Sequence, residues 1–511
     1  MVVTSLTRLR QAVGRHPGRS AFVAFFALAM LWSVITPLFG APDEPAHAIR
    51  AESLVRGEIL GTKVHGTGDL QVTAPAFLSA SVRDACFAFR AVVPASCMNL
   101  GGSFHGDRHM LTSAGRAPPA YYAIVGLPSL LAANLTGVWL MRLLSALLCA
   151  ALVGLAVDTA RRYLAGTVAM FGVAVAVTPM LFFLAGALNP SGIEIAAAVA
   201  AWVAGVALVT RAPEVDPRLV DRLGIAAGVL LIARQLGPVW VAVIAVVLLV
   251  LGGASIAQRL WRVGRARAWI AGLAVLAVAQ LAWNFGTGAL NTENTNTVGT
   301  TLGLLDRIRD SFGVQYTRFL EMIGLFGWRD TPAPTGTYLL WILALGGLVL
   351  GLFLLASRRG LLAAGLLTAA VIVVPILFEV PAAPKDGFFW QGRYTLTMAV
   401  GIPILAAALI RPGPGWRLRR ASALTAGALG LGLLLAFFQF WRRNAVGTHG
   451  VIFFFNHAAW HPPVPAWFLV PAVVVFTSVW VWLLLLAPGP SNEPESPTPE
   501  GATTPAAAVT A

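Results

Sequence analysis

The chain has 511 residues, of which 57% are hydrophobic and only 11% charged. A soluble globular protein carries about 25% charged residues, so most of this molecule's surface faces something other than water. The formal net charge is +14, but the arginines sit in short segments between apolar runs. Membrane proteins fix their orientation in that way, and nucleic acid is excluded from the expected partners.

Apolar runs recur along the chain, each long enough to cross roughly 30 Å of hydrocarbon. Lipid offers the backbone no hydrogen-bond partners, so such runs are helices. The first, 21–39, follows Arg8, Arg10, Arg15 and Arg19. No small-residue cleavage site follows it, so it reads as an uncleaved span with residues 1–20 in the cytoplasm. Further spans are read at 138–157, 166–186, 191–210, 222–236, 238–253, 268–286, 338–356, 360–379, 393–410, 420–440 and 466–486. The expected architecture is an all-α integral membrane protein of about 12 transmembrane helices, multi-pass in the plasma membrane, with both termini cytoplasmic. The segment 118–134 begins APPAYY and is interrupted by Pro128. It reads as a helix lying along the outer surface; were it a span, Arg161 and Arg162 would move outside.

The short segments assigned to the cytoplasm hold Arg161, Arg162, Arg211, Arg218, Arg222, Arg259, Arg262, Arg265, Arg267, Arg358, Arg359, Arg411, Arg417, Arg419 and Arg420. With the N-terminal four these are 19 of the 36 basic residues. Arg442 and Arg443 are the exception and fall outside. The expected outer loops are 40–117, 287–337, 380–392 and 441–465, the first of them large and helical. Function concentrates in long loops. The tail, 487–511, is rich in Pro, Thr, Ala and Glu and reads as disordered and cytoplasmic. Cys86 and Cys97 share the first outer loop, where they are either a disulfide or two free thiols; Cys149 lies in an apolar span.

The most informative polar segment follows the first span: Pro42-Asp43-Glu44-Pro45-Ala46-His47. Charges at a membrane edge are costly unless paired or hydrated. Pro45 and the carboxylates suit the first turn of a helix, so the bland reading is a capped surface helix. The functional reading is a general base, Asp43 or Glu44, or a divalent-cation site made of Asp43, Glu44 and His47. A second cluster, Asn189-Pro190-Ser191 with Glu194, is either a helix-starting turn or the edge of a polar cavity. Arg234 interrupts an apolar run at Arg234-Gln235-Leu236-Gly237-Pro238. Two half-spans meeting at a break leave unpaired backbone that lines a cavity, and a fixed cation there suits a lipid phosphate; snorkelling to the interface is the alternative. In EVPAAPKDGFFWQGRY (379–394), Gln391 and Arg393 stand at a span end as phosphate binders or interfacial anchors. The 287–337 loop opens NTENTNT and continues as an amphipathic stretch that reads as lying on the bilayer surface. No Walker A or strand–glycine loop–helix pattern is present.

The segments PDEPAH, APPAYYAIVGLP, ALNPSGIE, RQLGP, LFGWRD and WQGRYTLTMAVGIPIL occur in this order. Together they resemble the bacterial domain-of-unknown-function 2142 family of polytopic membrane proteins, over roughly 20–480. That family is similar in layout to the GT-C superfamily of integral membrane glycosyltransferases. The resemblance implies an enzyme that takes a sugar from a polyprenyl-phosphate carrier at the outer face. It implies an acidic motif after the first span, matched by Asp43 and Glu44, and a carrier-phosphate contact at Arg234. A second acidic position found in some relatives holds Asn189 here. The expected partners are a polyprenyl-phosphate-linked sugar, the bilayer, and an envelope glycan, lipid or protein acceptor. The rival readings are a transporter or flippase of a lipid-linked glycan, and a non-catalytic assembly protein.

Overall fold

The computed structural model describes residues 16–64, 68–83, 86–102, 104–210, 215–290, 299–411 and 418–486. Arg8, Arg10, Arg15, Arg211, Arg417, the NTENTNT segment and the 487–511 tail lie outside the described residues.

Nine helices among the described residues are long and apolar enough to cross a membrane. They are Pro17–Ile35 (α1), Leu135–Tyr163, Pro190–Thr210, Gly264–Thr287, Thr335–Leu355, Arg358–Asp386, Gly392–Leu409, Leu418–Val446 and Ala466–Leu485. The pair Gly237–Gly252 and Ala254–Arg262, bent by 108°, is long and apolar enough only when taken together, as a broken span or a re-entrant loop. Two of the twelve expected spans are not single long apolar helices. The 166–186 run is broken into Ala169–Ala176 and Pro179–Ala185, because Pro179 lacks the N–H that would continue the first helix. The 222–236 run becomes Pro217–Ala233, a helix of 17 residues that ends at extended Arg234. Gly237 then restarts the chain so tightly that a Cβ would sit 2.3 Å from the Leu231 carbonyl oxygen.

Pro190–Thr210 is the central helix, with 94% of its apolar window buried, against 11% for Gly264–Thr287 and 17% for Thr335–Leu355. The latter two are apolar around their circumference yet uncovered by protein, as lipid-facing helices are. Near one end of the bundle, Trp32 stacks 4.9 Å from Phe326 and Phe183 lies 5.1 Å from Phe440. This aromatic layer closes the core beneath the long loops.

Those loops gather at one end. After α1 comes Glu44–Val55 (α2), which packs on a three-stranded antiparallel sheet: Thr62–Lys63, Leu70–Pro75 and Asp107–Thr112. The helical reading of 40–117 omits this sheet. Its signal was short: Leu70, Val72 and Ala74 alternate inward over a single strand's length. The 118–134 segment forms the seven-residue helix Pro119–Val125 and a 3₁₀ turn, with Tyr121 and Tyr122 buried. The amphipathic stretch forms Leu304–Gly313 and Gln315–Gly324, with Leu305 and Tyr316 exposed.

Cys86 and Cys97 form a disulfide, their Cα atoms 6.1 Å apart. Arg443, the apparent violation of the charge rule, is a buried tie. It pairs with Asp330 at 2.6 Å and donates to the carbonyls of Phe87 at 2.8 Å and Val93 at 3.0 Å. Both carbonyls lie inside the disulfide-closed loop. Arg443 thus joins the first loop to the 325–332 turn, and its position follows from packing rather than from orientation.

Candidate active site

The two adjacent carboxylates have opposite fates. Glu44 opens α2 and is fully buried. Arg142, from near the start of the sequence's second apolar run, grips it with two hydrogen bonds of 2.7 and 2.6 Å. The Leu188 N–H adds a third at 2.9 Å. The same guanidinium donates to the carbonyls of Ser33, Thr36 and Pro37, which are freed where α1 ends. Glu44 and Arg142 therefore form a structural clamp on the turn that presents Asp43, and Glu44 has no face left for a substrate.

Asp43 is the accessible member: its side chain is 44% exposed, against 0% for Glu44. Its backbone is left-handed, φ 62° and ψ 5°. Asp tolerates this region better than most residues, and such strain persists only where the surroundings enforce it. Here they do, because the Asn189 amide donates to the Pro42 carbonyl at 3.0 Å. Asn189 otherwise accepts from the Ser191 N–H at 2.9 Å, and so caps the central helix and anchors the Asp43 turn. It is placed as a positioning residue.

Asp43 faces Arg393, whose Nη2 donates to Oδ2 at 2.5 Å. Arg393 begins the helix Gly392–Ala399, and its place is set from behind. Glu321, itself paired with Arg329 at 3.0 Å, accepts from the Gly392 N–H at 2.5 Å. Only glycine fits at 392, since a Cβ would meet the Arg318 carbonyl oxygen at 2.4 Å. The Arg393 side chain is 5% exposed, yet among the described residues its Nε and Nη1 have no partner, and neither does Gln391 Oε1 at the start of the same helix.

Arg234 completes the arrangement. Its guanidinium lies 4.6 Å from the Tyr394 ring centroid, and that of Arg393 lies 5.2 Å from the same ring. Two cations thus approach one aromatic ring, and Arg393 also donates to its hydroxyl at 3.2 Å, contacts that order the cations without neutralising them. Arg234 also donates to Ser191 Oγ at 3.0 Å and meets Glu194 at 3.5 Å; Glu194 in turn accepts from Trp240 Nε1 at 2.8 Å.

His47, one turn along α2 from Asp43, shares a 2.9 Å hydrogen bond through Nδ1 with the Tyr122 hydroxyl. Burial drives its pKa down from 6.5 to about 3, helped by the Arg393 and Arg234 cations and opposed by Asp43. Burial alone would raise the Asp43 carboxyl, but Arg393, His47 and Arg234 together outweigh that and hold it below the usual carboxylate range, Arg393 contributing most. The signs fix the pH behaviour. Between about 3 and 6.5 the unfolded chain protonates at residue 47 and the folded chain does not, so stability falls as pH drops through that window. Activity dependent on an ionised Asp43 and a neutral His47 is expected to give a kcat/KM that is flat between about pH 5 and 8. A limb near the ordinary histidine pKa of about 6.5 would contradict that assignment.

The set considered for a divalent ion, Asp43, Glu44 and His47, is not brought together. Arg142 holds both Glu44 oxygens, Arg393 contacts Oδ2 of Asp43, and among the described residues no three His, Cys, Asp or Glu side chains converge.

Four contributors escape a reading of the sequence: Arg142, Glu321, Tyr122 and Tyr394. Only Arg142 carries a signal, a charge inside an apolar span.

A model of predicted membrane proteins, DUF2142, matches residues 25–402. The chain belongs to this family. All of the site residues named above lie inside the matched region except Arg443, which ties the loops. No curated protein matches the DUF2142 chain. Among solved structures, the crystal structure of ArnT from Cupriavidus metallidurans in the apo state is similar, with a TM-score of 0.45 and 17% identity, covering 95% of this chain and 76% of that chain. The chain is a multi-pass membrane protein, as the family description and the apolar helices both state.

Proposed function

We propose that this DUF2142 protein is a GT-C-type glycosyltransferase that moves a sugar from a polyprenyl-phosphate carrier to a cell-envelope acceptor. The observation that carries the reading is the pairing of an accessible carboxylate, Asp43, with a buried arginine, Arg393, that keeps two N–H groups unsatisfied. Unsatisfied buried guanidinium donors are costly, and they match the planar oxygens of a phosphate. On this reading the loop-bearing end faces the extracytoplasmic side of the plasma membrane and both termini are cytoplasmic, in keeping with the arginine-rich short loops.

An apolar groove supports a lipid-linked donor. It is walled by Val175, Met322, Trp341, Leu345, Leu396 and Pro403. Leu396 lies one helical turn past Arg393, so on this reading a carrier with its phosphate on the arginine has an apolar groove one turn away for its prenyl chain.

In the proposed reaction the carrier phosphate docks on the free Nε and Nη1 of Arg393 and on Arg234. Charge drawn to the phosphate weakens the hold of Arg393 on Asp43, so donor binding raises the basicity of the carboxylate. Asp43 takes the proton of an acceptor hydroxyl, whose oxygen attacks the anomeric carbon. The bond from that carbon to the phosphate oxygen breaks, and the departing phosphate keeps the electron pair beside the two guanidinium groups. Glu44, Arg142 and Asn189 hold the Asp43 turn in place.

Arg393→Gln and Arg234→Gln each remove a charged contact worth about 1.5–3 kcal/mol. Each is expected to weaken polyprenyl monophosphate binding by roughly 10- to 100-fold, measured by titration of the detergent-solubilised protein. Unchanged affinity in both variants would remove the phosphate assignment.

A further inference from the structure

Asp43, His47 and Arg50 follow at spacings of four and three, so they line one face of α2. Asp43 and His47 belong to the site already described; Arg50 has no role in it. Its side chain is fully buried. Arg142 and Arg443, equally buried, each grip a carboxylate at 2.6 Å. Arg50 grips none among the described residues. It reaches only the Glu58 and Ala117 carbonyls, both at 3.4 Å, the outer limit of a hydrogen bond. Among the described residues its Nε has no partner. It senses the Glu58 carboxylate, but that group is held by the Thr73 N–H at 2.6 Å and does not touch the guanidinium. A buried guanidinium with no anion in contact is costly unless one visits it.

Its position separates it from the carrier phosphate. Seven residues of helix place Arg50 about 10 Å beyond Asp43, whereas Arg393 touches Asp43 directly. Tyr122, hydrogen-bonded to His47, stands between and senses both the Arg50 and Arg234 cations. The Ala117 side of Arg50 borders the loop end, where Trp283 Nε1 donates to the Arg116 carbonyl at 3.0 Å.

We propose that Arg50 is a second oxyanion subsite, which takes a phosphate or carboxylate group of the acceptor, so that the acceptor is anionic. This rests on the reading that Arg393 and Arg234 hold the carrier phosphate. The test is structure determination of the full-length chain with tungstate, with and without a polyprenyl monophosphate. The expected result is two tungstate ions, one at Arg393 and one at Arg50, with the lipid displacing only the first. Arg50→Gln should lose only the second ion and Arg50→Lys should keep it. Tungstate at Arg393 alone overturns the proposal, and so does displacement of both ions by the lipid, which would assign Arg50 to the carrier. An ion at Arg50 with none at Arg393 supports the second subsite while removing the carrier reading. Should Arg50→Gln not fold, the wild-type displacement and the Arg50→Lys ion decide the matter.

Discussion

Asp43→Asn is expected to insert and fold normally and to lose transfer by roughly 10²–10⁴-fold, the usual contribution of a general base. The amide matches the carboxylate in shape and tolerates the left-handed backbone at this position. It still accepts a hydrogen bond from Arg393, but it cannot take a proton. The loss should appear in kcat more than in carrier affinity, because the Arg393 donors proposed for the phosphate are untouched. Folding is checked by the thermal melt of the purified protein and activity by turnover of the carrier-linked sugar. Equal turnover by Asp43→Asn and wild type would end the assignment of Asp43 as base.

Glu44→Gln is expected to fail differently. Glu44 and Arg142 are both fully buried, and removing one partner of a buried ion pair costs about 3–5 kcal/mol, because the other charge remains. Most domains have only about 5–15 kcal/mol to lose. The prediction is a protein that is poorly recovered from membranes or melts at much lower temperature, with activity lost in proportion to folded protein. Arg142→Met should behave likewise, since it also strips donors from the Ser33, Thr36 and Pro37 carbonyls. A Glu44→Gln protein of wild-type stability but no activity would instead return Glu44 to the chemistry. The adjacent pair thus separates two mechanisms by one residue, and the two variants must be read together.

The membrane class and the placement of nearly every span follow from apolar run length, which needs no tertiary information. Where the span count differs, the causes are local: Pro179 breaks one run, and Pro217–Ala233 stops at Arg234. The sheet of the first loop depends on pairing between Leu70–Pro75 and Asp107–Thr112, far apart in sequence, and short strands leave little periodicity to read. The site is legible in part for a similar reason. PDEPAH, Arg234 and Arg393 stand out because charges near hydrocarbon are expensive. That Asp43 meets Arg393 across 350 positions, while Glu44 meets Arg142 across 98, is decided by helix packing. Sequence alone treats Asp43 and Glu44 as equivalent; the fold gives one to the clamp and the other to the cavity.

The most direct test of the whole account is the pool of polyprenyl-linked sugars in a deletion strain carrying either the wild-type or the Asp43→Asn gene. Lipid extracts analysed by mass spectrometry should show a carrier-linked monosaccharide that accumulates with Asp43→Asn, despite normal protein levels, and is cleared by wild type. Clearance by Asp43→Asn as complete as by wild type would contradict it, because a transporter or scaffold has no need of that carboxylate's proton chemistry.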